Sequence, residues 1–155
     1  MRVYHKAYVY LTCGSRLLVF SQPDEPHIGL QVPGGTLDPG ESYLQGARRE
    51  FHEETGLMPE WAFDHLADQD QIFHREDGSL HGLHRRRHFH ARIATPPRED
   101  WEHYEMTPSS GGAPIRFRLF WLDLFGPTAH DAGAFFQGFH VPLDTLRARI
   151  GELAA

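Results

Sequence analysis

Three glutamates stand close together in a segment that the apolar pattern predicts to be a helix. Glu50, Glu53 and Glu54 lie within five residues, and at about 100° per residue their side chains project within roughly 100° of one another. Like charges at this spacing repel by roughly a few tenths of a kcal/mol per pair, so the cluster costs stability unless a cation relieves it. Because magnesium takes oxygen ligands, the pattern predicts either a divalent-cation site or an acidic helix face in contact with solvent.

The residues that flank these glutamates extend the pattern in both directions. From Gly35 to Leu57, 23 residues, the sequence fits G-x5-E-x7-R-E-U-x-E-E-x-G-U, in which U is an apolar residue. In this pattern the chain resembles the Nudix hydrolase family, whose defining sequence, the Nudix box, has the same spacing. One position departs mildly, since Phe51 stands where the family usually has an aliphatic residue. That change indicates different packing beneath the helix rather than different chemistry.

The resemblance implies a magnesium site, with manganese as a substitute. It implies that Glu50, Glu53 and Glu54 are metal ligands and that the carbonyl of Gly34, just before the box, is a backbone ligand. It also implies an α/β fold, namely a single-domain α/β/α sandwich with a mixed β-sheet that spans residues 1–155.

Two further box residues are expected to support the glutamates. Arg49 resembles the family's orienting arginine, and its guanidinium can hold two carboxylates in a fixed fork. That geometry suits a structural role better than phosphate binding. Glu41 resembles an acid that lies behind the metal ligands, near the junction of loop and helix. The residues alone equally allow Glu41 to stabilise the helix end.

The reaction that the resemblance implies is attack of water on a phosphorus atom of a nucleoside diphosphate linked to another group X. A carboxylate takes the proton of that water. Some family members use a box glutamate as this base, and others use a glutamate on a later loop. The candidates within the box are Glu50, Glu53 and Glu54.

The later candidates for the base lie in an acidic segment between proline-rich breaks. They are Glu102 and Glu105, with Glu99 behind them. Alternation along an extended segment would place Trp101 and Glu105 on one face and Glu102 on the other. If Trp101 packs inward, Glu102 is free to reach the metal site, so we expect Glu102 to contribute to catalysis. The alternative is loop charge in contact with solvent.

Substrate-binding residues are harder to identify. A nucleobase needs an aromatic or apolar platform, for which Phe73 and Trp101 are candidates by type, although such residues more often belong to a core. On a predicted strand, Arg85 and Arg87 face one way and could meet phosphates, and a strand face in contact with solvent is the alternative. The opposite face carries Arg86 and three histidines, and zinc binding would require those histidines to converge: His84, His88 and His90.

The surrounding sequence predicts how these residues are positioned. β-Branched and aromatic runs bounded by turn residues predict strands over Val3–Thr12, Arg16–Phe20, Leu30–Val32, Trp61–Phe73, His84–Ile93, Ile115–Phe125 and Phe135–Val141. A helix over residues 42–55 ends at Gly56 and presents one apolar stripe: Leu44, Ala47, Phe51 and Thr55. A second amphipathic helix begins near Pro142. Residues 99–106 are either a loop or an edge strand.

Composition and charge limit the classes of function. The 155 residues include 15 Lys and Arg against 21 Asp and Glu, a formal net charge of −6, which disfavours nucleic acid or an acidic membrane as the main partner. A small-molecule nucleotide is the expected partner. With a single cysteine, Cys13, and no apolar run of membrane-spanning length, the protein is expected in the cytoplasm.

A second class of function stays open. Some Nudix domains do not hydrolyse a substrate, and sense a nucleotide or bind a partner instead. Such domains usually have eroded boxes, whereas the box glutamates and Arg49 are intact here. The intact box therefore favours hydrolysis. The sequence does not indicate an oligomeric state.

Overall fold

A mixed β-sheet forms the centre of the fold. The computed structural model describes residues 1–108 and 111–154. In that part of the chain the sheet contains seven strands, which are β1 (Val3–Cys13), β2 (Arg16–Ser21), β3 (Gly34–Thr36), β4 (Asp64–His74), β5 (Leu80–Ile93), β6 (Asp100–Glu105) and β7 (Ile115–Asp123). They follow the order β4-β5-β1-β2-β7-β6, with β3 paired to β1. The β1–β5 pair is parallel and the other pairs are antiparallel, as a mixed sheet requires.

The two described α-helices cover opposite faces of this sheet. They are α1 (Tyr43–Thr55) and α2 (Leu143–Ala154). Helix α1 contributes Ala47 and Phe51 to one core cluster, and α2 contributes Leu143 and Leu146 to the other. Because burial of apolar surface drives this packing, each amphipathic helix lies on its own face of the sheet. The predicted α/β/α arrangement is confirmed. Neither helix is long and apolar enough to cross a membrane.

Helix α1 begins and ends where its sequence predicts. The backbone N–H of Gln45 donates to Ser42 Oγ (3.0 Å), and the Ser42 N–H donates to the Gln45 side chain (2.9 Å). This capping box satisfies two donors at the helix end. Gly56 ends the helix in the left-handed conformation, with φ 77°. The apolar stripe differs in one respect, because Leu44 in the first turn is 41% exposed and the buried stripe begins one turn later, at Ala47.

The cleft beside β3 arises from how β1 pairs with its neighbours. Strands β1 and β2 pair only next to their connecting turn, so they diverge further along. In the space between them, β3 pairs with β1 through Gly34, Gly35 and Thr36. The predicted strand Leu30–Val32 is wrong, because Leu30 and Gln31 form only single bridges and the paired segment follows Pro33.

Another predicted strand is also absent. Residues 135–141 form a series of turns, and Gly138 has a φ of 83° that a strand does not allow. Phe135 and Phe139 are nevertheless buried in the core. A buried turn and a buried strand can therefore have equally apolar sequences. In contrast, the segment 99–106 contains the edge strand β6, which pairs with β7.

Candidate active site

The acidic face of α1 borders a cavity of about 500 Å³. Its walls come from β1, β3, α1, the end of β6 and the turns around Phe139. Carboxylates line one part of the cavity, and aromatic side chains such as Phe73 and Phe136 line another. A larger apolar cavity of about 720 Å³ lies beside Phe125 and Ile150 and contains none of the box glutamates. The smaller cavity is therefore the candidate active site, because it contains the carboxylates.

Three carboxylates converge in this cavity. One oxygen atom from each of Glu50, Glu54 and Glu105 lies within 4.8 Å of the other two. Glu50 and Glu54 come from α1, and Glu105 is the last residue of β6. The predicted shared face thus brings Glu50 and Glu54 together. Glu53 lies at the rim, with a side chain that is 47% exposed.

Glu54 is the most buried acid of this group. Glu54 is 5% exposed, and its Oε1 accepts a 2.6 Å hydrogen bond from the backbone N–H of Gly34. Burial, together with the nearby charges of Glu50 and Glu105, raises the pKa of Glu54 well above its usual value. Among the described residues, no basic side chain forms an ion pair with Glu54 or Glu105.

Crowding also perturbs the other two acids. Burial raises the pKa of Glu50, although the neighbouring Arg49 guanidinium partly opposes the change. Burial and the charges of Glu50 and Glu53 raise the pKa of Glu105 to about 7. Acids that repel one another in this way are relieved by any ligand that brings positive charge. The donor set fits a hard divalent cation, which prefers carboxylate oxygens.

Arg49 connects the glutamates to the loop that precedes the helix. Its guanidinium donates to both oxygens of Glu41 (2.8 and 2.9 Å), to Glu50 (3.0 Å) and to Glu53 (3.2 Å). It also donates to the carbonyl oxygen of Thr36 in β3 (3.1 Å). Glu41 raises the pKa of Arg49 further, and Arg49 lowers the pKa of Glu41. The fork predicted for Arg49 is therefore present, and Glu41 accepts from it on the side of the loop that precedes the helix.

The expectation that Glu102 reaches the metal site is wrong. Glu102 lies on the opposite face of β6, where its carboxylate pairs with Arg116 (3.1 Å) and is 50% exposed. Arg116 also pairs with Asp24 (2.9 Å), so both charges of the Glu102–Arg116 pair are held away from α1. The acid that enters the cluster from β6 is Glu105, the second candidate.

The predicted alternation along β6 is correct, and it explains why Glu105 rather than Glu102 reaches the cluster. Trp101, His103 and Glu105 share the face toward α1: Trp101 Nε1 donates to the carbonyl oxygen of Thr55 (2.9 Å), and His103 Nε2 donates to that of Glu53 (2.8 Å). The face that carries the inward tryptophan is thus the one that meets the helix carrying the box. Trp101 itself is buried in the core, so its predicted substrate contact is wrong.

The predicted phosphate contacts of Arg85 and Arg87 are also not found. Both side chains are about half-exposed, Arg85 pairing with Asp70 (3.1 Å) and Arg87 with Asp68 (3.0 Å), and Arg87 also lies over the ring of Tyr43 in α1. Neither lines the cavity. Cross-strand pairing with the acids of β4 explains this, because opposite charges on facing strands attract each other. The alternative, a strand face in contact with solvent, is the correct one.

Phe73 does line the cavity, as predicted. Its ring stacks on His84 (centroids 4.2 Å apart) and meets Phe136 edge-on (5.5 Å). Burial lowers the pKa of His84 to about 3, so this ring is neutral at physiological pH. The opposite face of β5 is buried, and Arg86 on that face is 1% exposed. Lys6 also lines the cavity, and nothing in the sequence pattern singled it out.

Comparison with known proteins identifies a family and similar folds. A family model described as the NUDIX domain matches residues 4–117. No curated protein matches the chain by sequence. Similar solved structures include the Ap4A hydrolase of C. elegans, with 16% identity, coverage of 96% of this chain and 99% of that chain, and a TM-score of 0.63. The MutT NUDIX hydrolase from Burkholderia pseudomallei has 16% identity, coverage of 94% and 99%, and a TM-score of 0.62.

A third similar structure is that of a domain with bound ligand. The NUDIX domain of Shewanella oneidensis NrtR, complexed with ADP ribose, has 14% identity, coverage of 97% of this chain and 90% of that chain, and a TM-score of 0.65. At these identities the likeness concerns the fold. The family model, in contrast, spans most of the chain and the complete box, and the chain therefore belongs to the Nudix hydrolase family.

Proposed function

We propose that this protein is a magnesium-dependent hydrolase that cleaves a pyrophosphate bond in a nucleoside diphosphate linked to another group X. The observation that carries the proposal is the convergence of oxygen atoms from Glu50, Glu54 and Glu105 within 4.8 Å, with no described cation paired to Glu54 or Glu105. Acids crowded in this way cost stability in the absence of a metal. A metal bound at a catalytic site would offset this repulsion.

Glu50 and Glu54 are the proposed principal ligands of magnesium, with Glu53 at the rim and the carbonyl of Gly34 as a backbone ligand. When bound, magnesium polarises phosphate oxygens and lowers the pKa of a coordinated water. Manganese has similar preferences and is the expected substitute. Arg49 and Glu41 keep the glutamates in one arrangement, because the Arg49 guanidinium contacts Glu41, Glu50 and Glu53 at once.

Glu105 replaces Glu102 as the proposed base from outside the box. It reaches the cluster from β6, across the cavity from α1, which is where a carboxylate could accept the proton of an attacking water. A base must lie within hydrogen-bonding distance of that water or reach it through one other water. The remaining alternative is that a box glutamate, Glu53, Glu54 or Glu50, takes the proton.

The aromatic part of the cavity is the proposed site of the nucleobase. Phe73, Phe136 and Phe139 line it together with the neutral ring of His84. Flat apolar surfaces of this kind stack on bases with little dependence on base identity. The proposed substrate is therefore a small-molecule nucleotide derivative. The single cysteine of the chain favours the cytoplasm as the protein's compartment.

The second candidate function is a domain that binds a nucleotide without hydrolysing it. The NUDIX domain of Shewanella oneidensis NrtR was solved with ADP ribose bound, which motivates this alternative. The complete set of box residues argues against it here. A binding domain has no evident use for carboxylates that destabilise the empty site.

A substrate screen tests the proposal. The purified protein is incubated with magnesium and nucleoside triphosphates, nucleotide sugars, dinucleotides and oxidised nucleotides, and products are separated by chromatography. We expect cleavage of at least one compound to a nucleoside monophosphate or its equivalent, lost with EDTA and restored by magnesium or manganese. Nucleotide binding without cleavage of any compound would establish the sensing alternative instead.

A further inference from the structure

Lys6 is the only lysine in the sequence, and its side chain lines the cavity that contains Glu50 and Glu54. It lies on β1, opposite Thr36 of β3 and Arg86 of β5. Its Nζ donates a 2.7 Å hydrogen bond to Thr36 Oγ1. The backbone pairing of three strands therefore fixes where this one amine enters the cavity.

The hydrogen-bonding capacity of Lys6 is only partly used. An ammonium group has three N–H donors, and Thr36 accepts one of them. Within residues 1–108 and 111–154, no carboxylate lies within 4.0 Å of Nζ. Burial and the charge of Arg86 lower the pKa of Lys6 to about 8, and the nearby carboxylates of Glu50, Glu54 and Glu105 partly oppose this change, so the amine still carries its charge near pH 7. These carboxylates attract the amine from beyond ion-pairing distance, and once a metal neutralises them a substrate phosphate becomes the anion that Lys6 can pair with.

A second cation lies behind Lys6. The guanidinium of Arg86 is buried against the rings of Tyr8 (5.4 Å) and Phe139 (4.3 Å), which both line the cavity. It donates to the carbonyl oxygen of Gln137 (2.8 Å), whereas its Nε and Nη2 atoms have no partner. This part of the cavity is therefore positive, next to the negative cluster on α1. An anionic ligand between the two parts would pair with the cations on one side and with a metal held by the acids on the other.

We propose that Lys6 binds a phosphate oxygen of the substrate and holds the pyrophosphate group against the box glutamates. The inference rests on the proposed function and goes beyond it, because it assigns a substrate-binding residue outside the box. Lysine binds phosphate as a mobile point charge, which suits a group that must accept different nucleotide derivatives. Lys6 positions the substrate and takes no part in proton transfer.

The competing explanation is structural, since the Lys6–Thr36 hydrogen bond joins β1 to β3. Steady-state kinetics with the preferred substrate of the screen separate the two roles. For Lys6→Met we expect KM to rise roughly 10- to 100-fold, the cost of a lost charge-assisted hydrogen bond, with kcat changed much less because binding is lost equally before and in the transition state. Lys6→Arg should recover most of the loss because it keeps the charge.

Two further variants are the controls. Thr36→Val removes the same interstrand hydrogen bond and keeps the amine, so we expect only a small part of the Lys6→Met effect. Arg2→Met removes a cation close by in sequence that does not line the cavity, and should leave KM unaltered. Loss with Thr36→Val equal to that with Lys6→Met, or an unchanged KM in Lys6→Met, would overturn the proposal.

A binding measurement tests Lys6 independently of catalysis. Because Lys6 is the only lysine, lysine labelled with ¹³C at Cε gives a single NMR signal and leaves all three N–H donors in place. With magnesium present, addition of methylenediphosphonate, which resists hydrolysis, should shift this Lys6 signal saturably. Sodium chloride at equal ionic strength should leave the signal in place.

The two proposals can fail separately in these experiments. If the screen shows no hydrolysis but the Lys6 signal shifts, the phosphate site stands and the proposed hydrolase activity is lost. If hydrolysis is found and the Lys6 signal stays in place, the assignment of Lys6 is wrong and the hydrolase remains.

Discussion

The backbone N–H of Gly34 lies 2.6 Å from Oε1 of Glu54 and donates a hydrogen bond to it. This contact joins β3 to α1 across the cavity and holds a buried carboxylate at a fixed position. Without it, the buried oxygen would lack a hydrogen-bond donor in a site where desolvation is already costly. Strand β3 and helix α1 therefore form one unit around Glu54.

Gly34→Ala should break this unit. Gly34 has a φ of 153°, and a Cβ there would overlap the carbonyl oxygen of Ala7. We expect the free energy of unfolding to fall by more than about 2 kcal/mol, measured by urea denaturation. Gly40→Ala is the matched control, since Gly40 also has positive φ (78°) but has open space around it. Equal losses in the two variants would show that backbone conformation alone, and not the contact with β1, requires Gly34.

Gly35→Ala should affect the site more than the fold. A Cβ at Gly35 would lie 2.8 Å from the carboxyl carbon of Glu50, and the flexible end of that side chain can move away. We expect nearly normal stability, with magnesium affinity lowered roughly 10- to 100-fold, measured by isothermal titration calorimetry. Gly151→Ala, in α2 with no atom within 4 Å of its Cβ position, should leave the magnesium affinity unchanged and raise the stability slightly, because alanine favours a helix more than glycine does. Unaltered affinity in Gly35→Ala would argue against Glu50 as a ligand.

Glu53→Gln should lower turnover and leave the fold intact. Glu53 is half-exposed and contacts Arg49, so its replacement removes charge without opening the core. We expect kcat to fall roughly 10- to 100-fold. Glu60→Gln, at an exposed position, is the control and should keep the wild-type kcat. Circular dichroism confirms equal folding of the compared proteins. Near wild-type turnover at saturating magnesium would show that Glu53 does not contribute to the metal site.

The sequence predicted the parts of the site that depend on local structure. Glu50 and Glu54 share a face because helix periodicity fixes their directions, and Gly56 ends the helix for a reason within its own backbone. The position of Glu105 could not be obtained in this way. Alternation correctly divided β6 into two faces, but which face meets α1 depends on how distant strands pair.

Lys6 illustrates the same difficulty. Nothing near it in sequence marks it as a cavity residue, since the cavity arises where β1 and β2 diverge and β3 enters between them. The paired acids of β4 likewise decide that Arg85 and Arg87 remain outside. Pairing between segments far apart in the chain determines all three positions, and one sequence carries little information about such pairing.

Glu105→Gln and Glu102→Gln should have different effects on the chemical step. Glu105 faces the cluster, whereas Glu102 pairs with Arg116 on the other face of β6. If Glu105 is the base, its replacement lowers the single-turnover rate roughly 10²–10⁴-fold, and the Glu102 variant retains the wild-type rate. A normal rate in Glu105→Gln would assign proton removal to a box glutamate.

Glu105 should also make the stability of the metal-free protein depend on pH. Its pKa is about 7 in the folded chain, against an ordinary value near 4.5 that applies when the chain is unfolded. Between these two values the unfolded state binds fewer protons at this position than the folded state. The contribution of Glu105 to the free energy of unfolding is therefore largest below about pH 4.5 and is lost as the pH rises to about 7.

Comparison of Glu105→Gln with the wild type removes the titration of Glu105 and also lowers the pKa of Glu54, which the charge of Glu105 helps to raise. Both changes act in the same direction, so in EDTA we expect the free energy of unfolding of the variant to rise relative to the wild type between pH 4.5 and 7, by roughly 1 kcal/mol per pH unit. Urea denaturation at half-unit steps measures the difference. Magnesium should stabilise the wild type more at pH 7.5 than at pH 5, because a cation binds the deprotonated acids. A difference between the two proteins that stays constant with pH would contradict the raised pKa of Glu105.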